Sequence, residues 1–189
     1  RRQMILRSSI KELDEQHMRD ALTGLYNRYA QERYVHRFIE SGSFTVIMID
    51  MDGLKVINDT YGHDVGDAVL KKISDICKTV LRNNDLFARY GGEEFVLVFP
   101  DKNMEETHVI VSELRETINR SSLDYAGKTV SVHVSIGIST YPETAKTPET
   151  ILNRADAAMY FAKQNGKNRI VRDSDEVLAY FRKMSKGTE

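Results

Sequence analysis

The stretch Phe44-Thr-Val-Ile-Met-Ile-Asp50-Met51-Asp52 decides how this chain folds. It is almost wholly apolar up to Asp50, rich in β-branched residues and far too short to cross a bilayer. Such a run, bounded by turn residues, reads as a strand buried on both faces at the centre of a sheet. It ends on two carboxylates, and residues two apart along a strand point to the same side. Carboxylates at the end of a buried strand are costly unless a cation or hydrogen-bond donors meet them. A plain loop start with solvated acids would look the same, so this feature alone leaves both readings open.

Outward from that strand, elements alternate. Upstream, Asp20 to Arg28 is turn-like and leads into a helix over 27–40, which Ser41-Gly42-Ser43 ends. Downstream, 53–66 reads as loop, followed by a helical stripe of Val65, Ala68, Val69, Ile73, Ile76, Cys77 and Val80. Leu86 to Tyr90 and Phe95 to Phe99 are short strands flanking Gly91-Gly92, a hairpin. A helix is expected over 104–119, a strand over the alternating run Thr129 to Ile138, a helix over 148–165 and a last strand over 168–171. The fold class is therefore α/β (α+β), a mixed central sheet flanked by helices. Residues 1–19 read as an amphipathic connector helix and 20–172 as one domain. The tail 173–189, with Val177, Leu178, Tyr180, Phe181 and Met184, reads as a short docked helix.

The bulk numbers exclude some classes. With 27 basic and 28 acidic residues among 189, the net charge is −1. That gives no electrostatic basis for binding nucleic acid or a membrane surface. An anionic ligand would have to be held by local arrangement or through a metal ion. The single cysteine, Cys77, cannot form an internal disulfide and suits a reducing, cytoplasmic setting. The chain opens on Arg1-Arg2 without a signal peptide, so it is expected to be a piece of a longer protein. An upstream sensor and membrane tethering of that parent are compatible with this reading.

The chemistry concentrates at two places. Two glycines in the Gly91-Gly92-Glu93-Glu94 hairpin let a ligand approach the backbone closely. If the hairpin lies beside the strand ending at Asp50, then Asp50 and Glu93 can share Mg²⁺, which prefers oxygen ligands completed by substrate phosphates. That arrangement suits phosphoryl or nucleotidyl transfer. There is no P-loop, no G-x-G-x-x-G, no Ser-His-Asp ordering and no Cys/His zinc spacing.

Together, Asp50-Met-Asp-Gly-Leu-Lys-Val-Ile-Asn-Asp-Thr-Tyr-Gly-His-Asp-Val-Gly-Asp67 and Gly91-Gly-Glu-Glu-Phe95 closely resemble the GGDEF family of diguanylate cyclases. Asp20-x-Leu-Thr-Gly-Leu-x-Asn-Arg28 and Ala157-Ala-Met-Tyr-x-Ala-Lys-x-x-Gly-Lys-Asn168 extend the resemblance over about 20–171. It implies a palm-like fold and condensation of two GTP molecules into cyclic di-GMP and pyrophosphate. By that resemblance Asp50, Glu93 and the Met51 carbonyl hold Mg²⁺ or Mn²⁺, and Glu93 and Glu94 are catalytic. Asn58 and Asp67 read guanine, and Gly53, Leu54, Lys55, Gly92, Lys163 and Lys167 surround the phosphates. Leu54 replaces a common Phe. Lys167 replaces the usual Arg and loses its bidentate fork on phosphate. Each domain would hold one GTP, so the resemblance implies a homodimer. The competing expectation is a catalytically silent module that binds GTP or cyclic di-GMP.

Arg82-Asn-Asn-Asp85 stands at the spacing of the family's inhibitory product site. Arg can donate bidentately to guanine and Asp can accept from its Watson–Crick edge. A second basic residue from the following helix usually assists. Here Glu113 occupies that place and Arg115 lies two residues on.

Overall fold

The computed structural model describes residues 17–186. Strand β2, Phe44–Met51, does lie at the centre and is buried along its whole length. It runs antiparallel to β4, Glu94–Pro100, on one side and to β7, Val134–Tyr141, on the other. Beyond β4 come β3, Leu86–Arg89, and then the two-residue β1, Tyr26–Asn27, parallel to β3. Beyond β7 lies β8, Ile170–Arg172, again parallel to its neighbour. The six-stranded sheet thus mixes both directions, in the order β1-β3-β4-β2-β7-β8.

The alternation of a strand separates the two cores. Ile47, Ile49 and Met51 pack with helices α2 (Leu54–Tyr61), α3 (His63–Lys78) and α4 (Met104–Arg120). Phe44, Val46 and Met48 face the other way, toward α1 (Arg28–Val35) and α5 (Pro148–Gln164). Asp50 follows Met48 in that alternation and so belongs to the α5 face. Helix α5 lies hard against β7 at Gly137. A Cβ there would sit 2.1 Å from the Ala155 carbonyl and 2.3 Å from the Met159 nitrogen. Only glycine permits this approach, which sets the height of α5 over the sheet.

Three segments differ from the sequence expectation. The 53–66 loop is mostly helix: α2 and α3 meet at Gly62, whose φ of 92° breaks the helix in a conformation glycine favours. Leu54, Ile57 and Tyr61 do stand at helical spacing, but bracketed by Gly53 and Gly62 over only eight residues they read as loop. The alternating run from Thr129 is two strands: β6, Lys128–Ser131, pairs with β5, Ser122–Tyr125, in a separate hairpin, and β7 begins at Val134. Alternation reports a strand's faces but not its partner. The helix over 27–40 stops at Val35 and continues as a 3₁₀ turn, His36–Ser41.

The tail forms α6, Asp175–Lys186, docked on α5 through edge-to-face pairs of Tyr160 with Phe181 and of Phe161 with Tyr180. The connector read over 1–19 falls mainly outside the described residues. Cys77 is fully buried, and burial pushes its thiol up to about 12, so it is inert packing. No helix among the described residues is long and apolar enough to cross a membrane.

Candidate active site

The hairpin does lie beside the end of β2. Asp50 stands opposite Glu94 in the β2–β4 register, and the Met51 N–H donates to the Glu93 carbonyl at 3.0 Å. The turn closes through Tyr90 N–H to the Glu94 carbonyl at 2.8 Å. The Glu94 carboxylate folds over Gly91, where a Cβ would come within 2.5 Å of it. Across the turn, Arg89 donates to the Gly92 carbonyl at 2.7 Å and pairs with Asp20 at 3.2 Å. Asp20 is itself fixed by the Thr23 hydroxyl and N–H, at 2.7 and 2.9 Å. The early Asp20-x-Leu-Thr23 motif is therefore the far anchor of the Gly91-Gly92 turn.

Against this hairpin stands one cation from α5. Lys163 Nζ lies 2.8 Å from Asp50 and 3.6 Å from Glu93. Asp50 is only 2% exposed. Burial pushes its carboxyl up to about 7, against the hydrogen bond and charge of Lys163 and assisted by Glu93 and Glu94. Burial works against the Lys163 ammonium too. The Asp50 hydrogen bond and charge, with Glu93 and Asp52, still hold it above its ordinary value. Asp156, on the same helix, is raised by burial and by Glu94, while Lys163 opposes the shift.

The other end of the cleft is built by α2 and α3. Asn58 Oδ1 is buried without a hydrogen-bond partner. It occupies the place where a Cβ on Gly66 would lie, 1.9 Å away. Gly66 thus makes the cradle for the Asn58 amide. A buried acceptor left unsatisfied costs about 1–3 kcal/mol, so it marks a position prepared for a donor. Asp67, next to Gly66, is exposed on the same rim.

One cleft of about 550 Å³ gathers Asp50, Leu54, Asn58, Asp67, Gly92, Glu93, Glu94 and Lys163, joined by Leu70 and Arg89. Gly53, Lys55 and Lys167 do not line it. Gly53 has a φ of 80° ahead of α2, and Lys55 and Lys167 are exposed outside the wall. The Met51 side chain is buried in the opposite core, which leaves only its backbone near the hairpin. Asp52 is turned away from the cleft. It accepts from the Ser135 hydroxyl at 2.7 Å and the Asn168 N–H at 2.9 Å, clasping β7 to the turn before β8. Arg89 was missed by sequence reading because a strand arginine carries no local sign of partners as distant as Asp20.

Among the described residues no three His, Cys, Asp or Glu side chains form a ready-made metal cage. Two carboxylates that already share one ammonium nevertheless suit a hard divalent cation. Mg²⁺ commonly takes one or two protein carboxylates and completes its shell with water and phosphate oxygens.

The chain and its fold resemble known proteins. A family model described as "Diguanylate cyclase, GGDEF domain" matches residues 17–169. The chain belongs to the GGDEF family. Diguanylate cyclase A of Treponema denticola is 41% identical over 128 residues, spanning 68% of this chain and 34% of the relative. Response regulator PleD of Caulobacter vibrioides is 34% identical over 173 residues, 88% of this chain and 38% of PleD. The chain therefore spans little more than a third of either relative. The coiled coil and GGDEF domain of DgcB from Caulobacter crescentus, solved with c-di-GMP, superposes with a TM-score of 0.82. That match has 27% identity and covers 89% of this chain and 92% of the other.

This GGDEF domain also has a second polar pocket, of about 580 Å³, lined by Arg82, Asn83, Asn84, Asp85, Pro100, Asp101 and Lys102. Asp85 accepts the Arg82 backbone N–H at 2.7 Å, so the turn is pre-shaped while Arg82 as a whole is exposed. Burial raises the Asp85 carboxyl, against that N–H and the charges of Lys102 and Arg82. Arg115 is occupied elsewhere, donating to the Asn168 carbonyl at 3.0 Å and pairing with Glu116, and Glu113 is exposed outside the pocket. The second basic residue at this pocket is Lys102, from the turn after β4, a position the helix-based expectation passed over.

Proposed function

We propose that this GGDEF domain condenses two GTP molecules into cyclic di-GMP. The observation carrying the reading is the single cleft that joins Asp50, Glu93, Glu94 and Lys163 to the unsatisfied Asn58 acceptor and Asp67. One end suits a metal-bound triphosphate, and the other suits a base edge rich in N–H donors. Asn58 can accept from guanine with Oδ1 and donate with its amide nitrogen, and Asp67 accepts from guanine N–H groups. The N–H groups opening α2 at Gly53 and Leu54, together with Lys163, counter phosphate charge. Lys55 and Lys167, exposed outside the cleft wall, would add only longer-range positive charge.

Asp50, Glu93 and the Met51 carbonyl would hold Mg²⁺ or Mn²⁺. When bound, such an ion polarises the phosphoryl oxygens and offsets the charge that develops on them. In the reaction, the 3′-hydroxyl of one GTP attacks the α-phosphorus of the other. A new O–P bond forms, the bond to the β-phosphate bridging oxygen breaks, and pyrophosphate leaves. The hydroxyl proton passes to a carboxylate of the Glu93–Glu94 pair. The step occurs twice, and each domain supplies one GTP, so two copies meet face to face. The Arg82–Asp85 pocket binds product and restrains turnover.

The test is incubation of the chain, alone and as an enforced dimer, with GTP and Mg²⁺, followed by chromatography and mass measurement. Cyclic di-GMP is expected. A folded dimer that binds nucleotide and releases none would establish the silent-receptor reading instead.

A further inference from the structure

Helix α6 lies beyond residues 17–169, the span matched by the family model, yet it reaches the catalytic carboxylates. A partly open cavity of about 420 Å³ is lined by Asp50, Glu94, Asp156, Met159, Tyr160 and Lys163, and on the α6 side by Phe181 and by Met184, itself 43% exposed. Asp156, Met159, Tyr160 and Lys163 are spaced i, i+3, i+4 and i+7, one face of α5. Phe181 and Met184, three apart, are the matching face of α6. The helix is attached at two levels. Arg154 Nε pairs with the buried Asp173 at 2.6 Å, and the same guanidinium reaches Asp175, in the first turn of α6, at 3.2 Å. Higher up, Phe181 packs edge-on to Tyr160 with ring centroids 5.5 Å apart.

We propose that Phe181 and Met184 are positioning residues for Lys163: α6 walls the rear of the cleft and keeps the ammonium on Asp50 and Glu93. The physical reason is dielectric. The attraction between an ammonium and a carboxylate weakens steeply as water enters, and an exposed pair holds its geometry poorly. Lys163 has a side chain 27% exposed and two acidic partners, so its place depends on what shields the far side of the cavity. Without Phe181 and Met184, water gains wider access to that side and the long, flexible lysine samples other rotamers. The inference rests on the reading of Lys163 as the cation that meets substrate phosphate. Its geometric half stands without that reading.

The test joins two readouts on the full chain. Amine labelling by acetic anhydride, followed by mass spectrometry, compares Lys163 with exposed Lys55 as internal standard. In the Phe181→Ala/Met184→Ala double variant, Lys163 labelling should rise roughly threefold or more relative to Lys55. In the same variant kcat for cyclic di-GMP formation should fall about tenfold, with KM for GTP changed less than about twofold. Phe181→Leu should restore both. Tyr180→Ala serves as control, because Tyr180 packs on Phe161 and does not line the cavity. Unchanged Lys163 labelling in a folded double variant overturns the proposal. So does equal labelling in Tyr180→Ala, which would make α6 general packing. If the wild type makes no product even as an enforced dimer, the cyclase reading fails while the labelling still decides this one. Should the double variant fail to fold, Met184→Ser is read against the same criteria.

Discussion

The pairs Lys163–Asp50 and Arg82–Asp85 use the same charges in opposite ways. The first is set on a central strand and a helix locked against the sheet by Gly137, and its carboxylate is almost wholly removed from water. The second sits on a turn between α3 and β3, where Asp85 holds the Arg82 backbone and Arg82 as a whole is exposed. Groups that must meet a developing charge within fractions of an ångström belong on rigid elements, at a cost in stability. A pocket that only captures a finished ligand needs pre-shaped backbone and accessible side chains. On the proposed reading, chemistry belongs to the first region and product capture to the second.

The largest effect should come from the rigid site. Glu93→Gln keeps the shape and removes the charge, and turnover should fall by about 10²–10³-fold or more, read as product by mass. Near-wild-type turnover would dissolve the contrast. Next comes Gly66→Ala, which touches no substrate but expels the Asn58 amide from its cradle. A loss of about 10- to 100-fold in kcat/KM for GTP is expected, expressed mainly in KM. An unchanged KM would separate Asn58 from base recognition.

At the other pocket, Arg82→Ala should weaken product binding about tenfold or more in calorimetry, while initial rates without product stay as they are. Loss of the initial rate would mean that the two regions are not independent.

The smallest effect is on stability. Asp50 has its carboxyl raised to about 7 from 3.8, first by burial. A group raised in the folded state binds its proton more tightly there. Its favourable contribution is complete below pH about 4 and is lost as pH rises through about 7. Asp50→Asn should therefore gain about 2–5 °C in Tm over wild type at pH 7.5, and less at pH 5. Equal or lower Tm at pH 7.5 would show that Lys163 repays the burial of Asp50 in full.

Much of this contrast was legible in the chain. The run Phe44 to Asp50 announced a central strand because burial on both faces leaves no polar alternation. The Gly91-Gly92 hairpin announced itself through its turn residues. What stayed hidden depended on distant partners. Asp52 looked equivalent to Asp50, yet Ser135 and Asn168 claim it for structure. Arg89 and Lys102 carry no local pattern, and their places follow from the packing of Asp20 and of the β4 turn. The 53–66 segment hid α2 because Gly53 and Gly62 bracket it to eight residues, and those glycines read as loop.

The six-stranded sheet ends on a two-residue strand at one edge and a three-residue strand at the other. Edges that short offer almost no row of open backbone groups for another molecule to extend. Two copies gathered around GTP would be joined by side chains and by the nucleotides themselves, not by a shared ladder. Such an assembly can come apart once its ligand is spent. Edges so short leave the six-stranded sheet little backbone through which two copies could pair permanently.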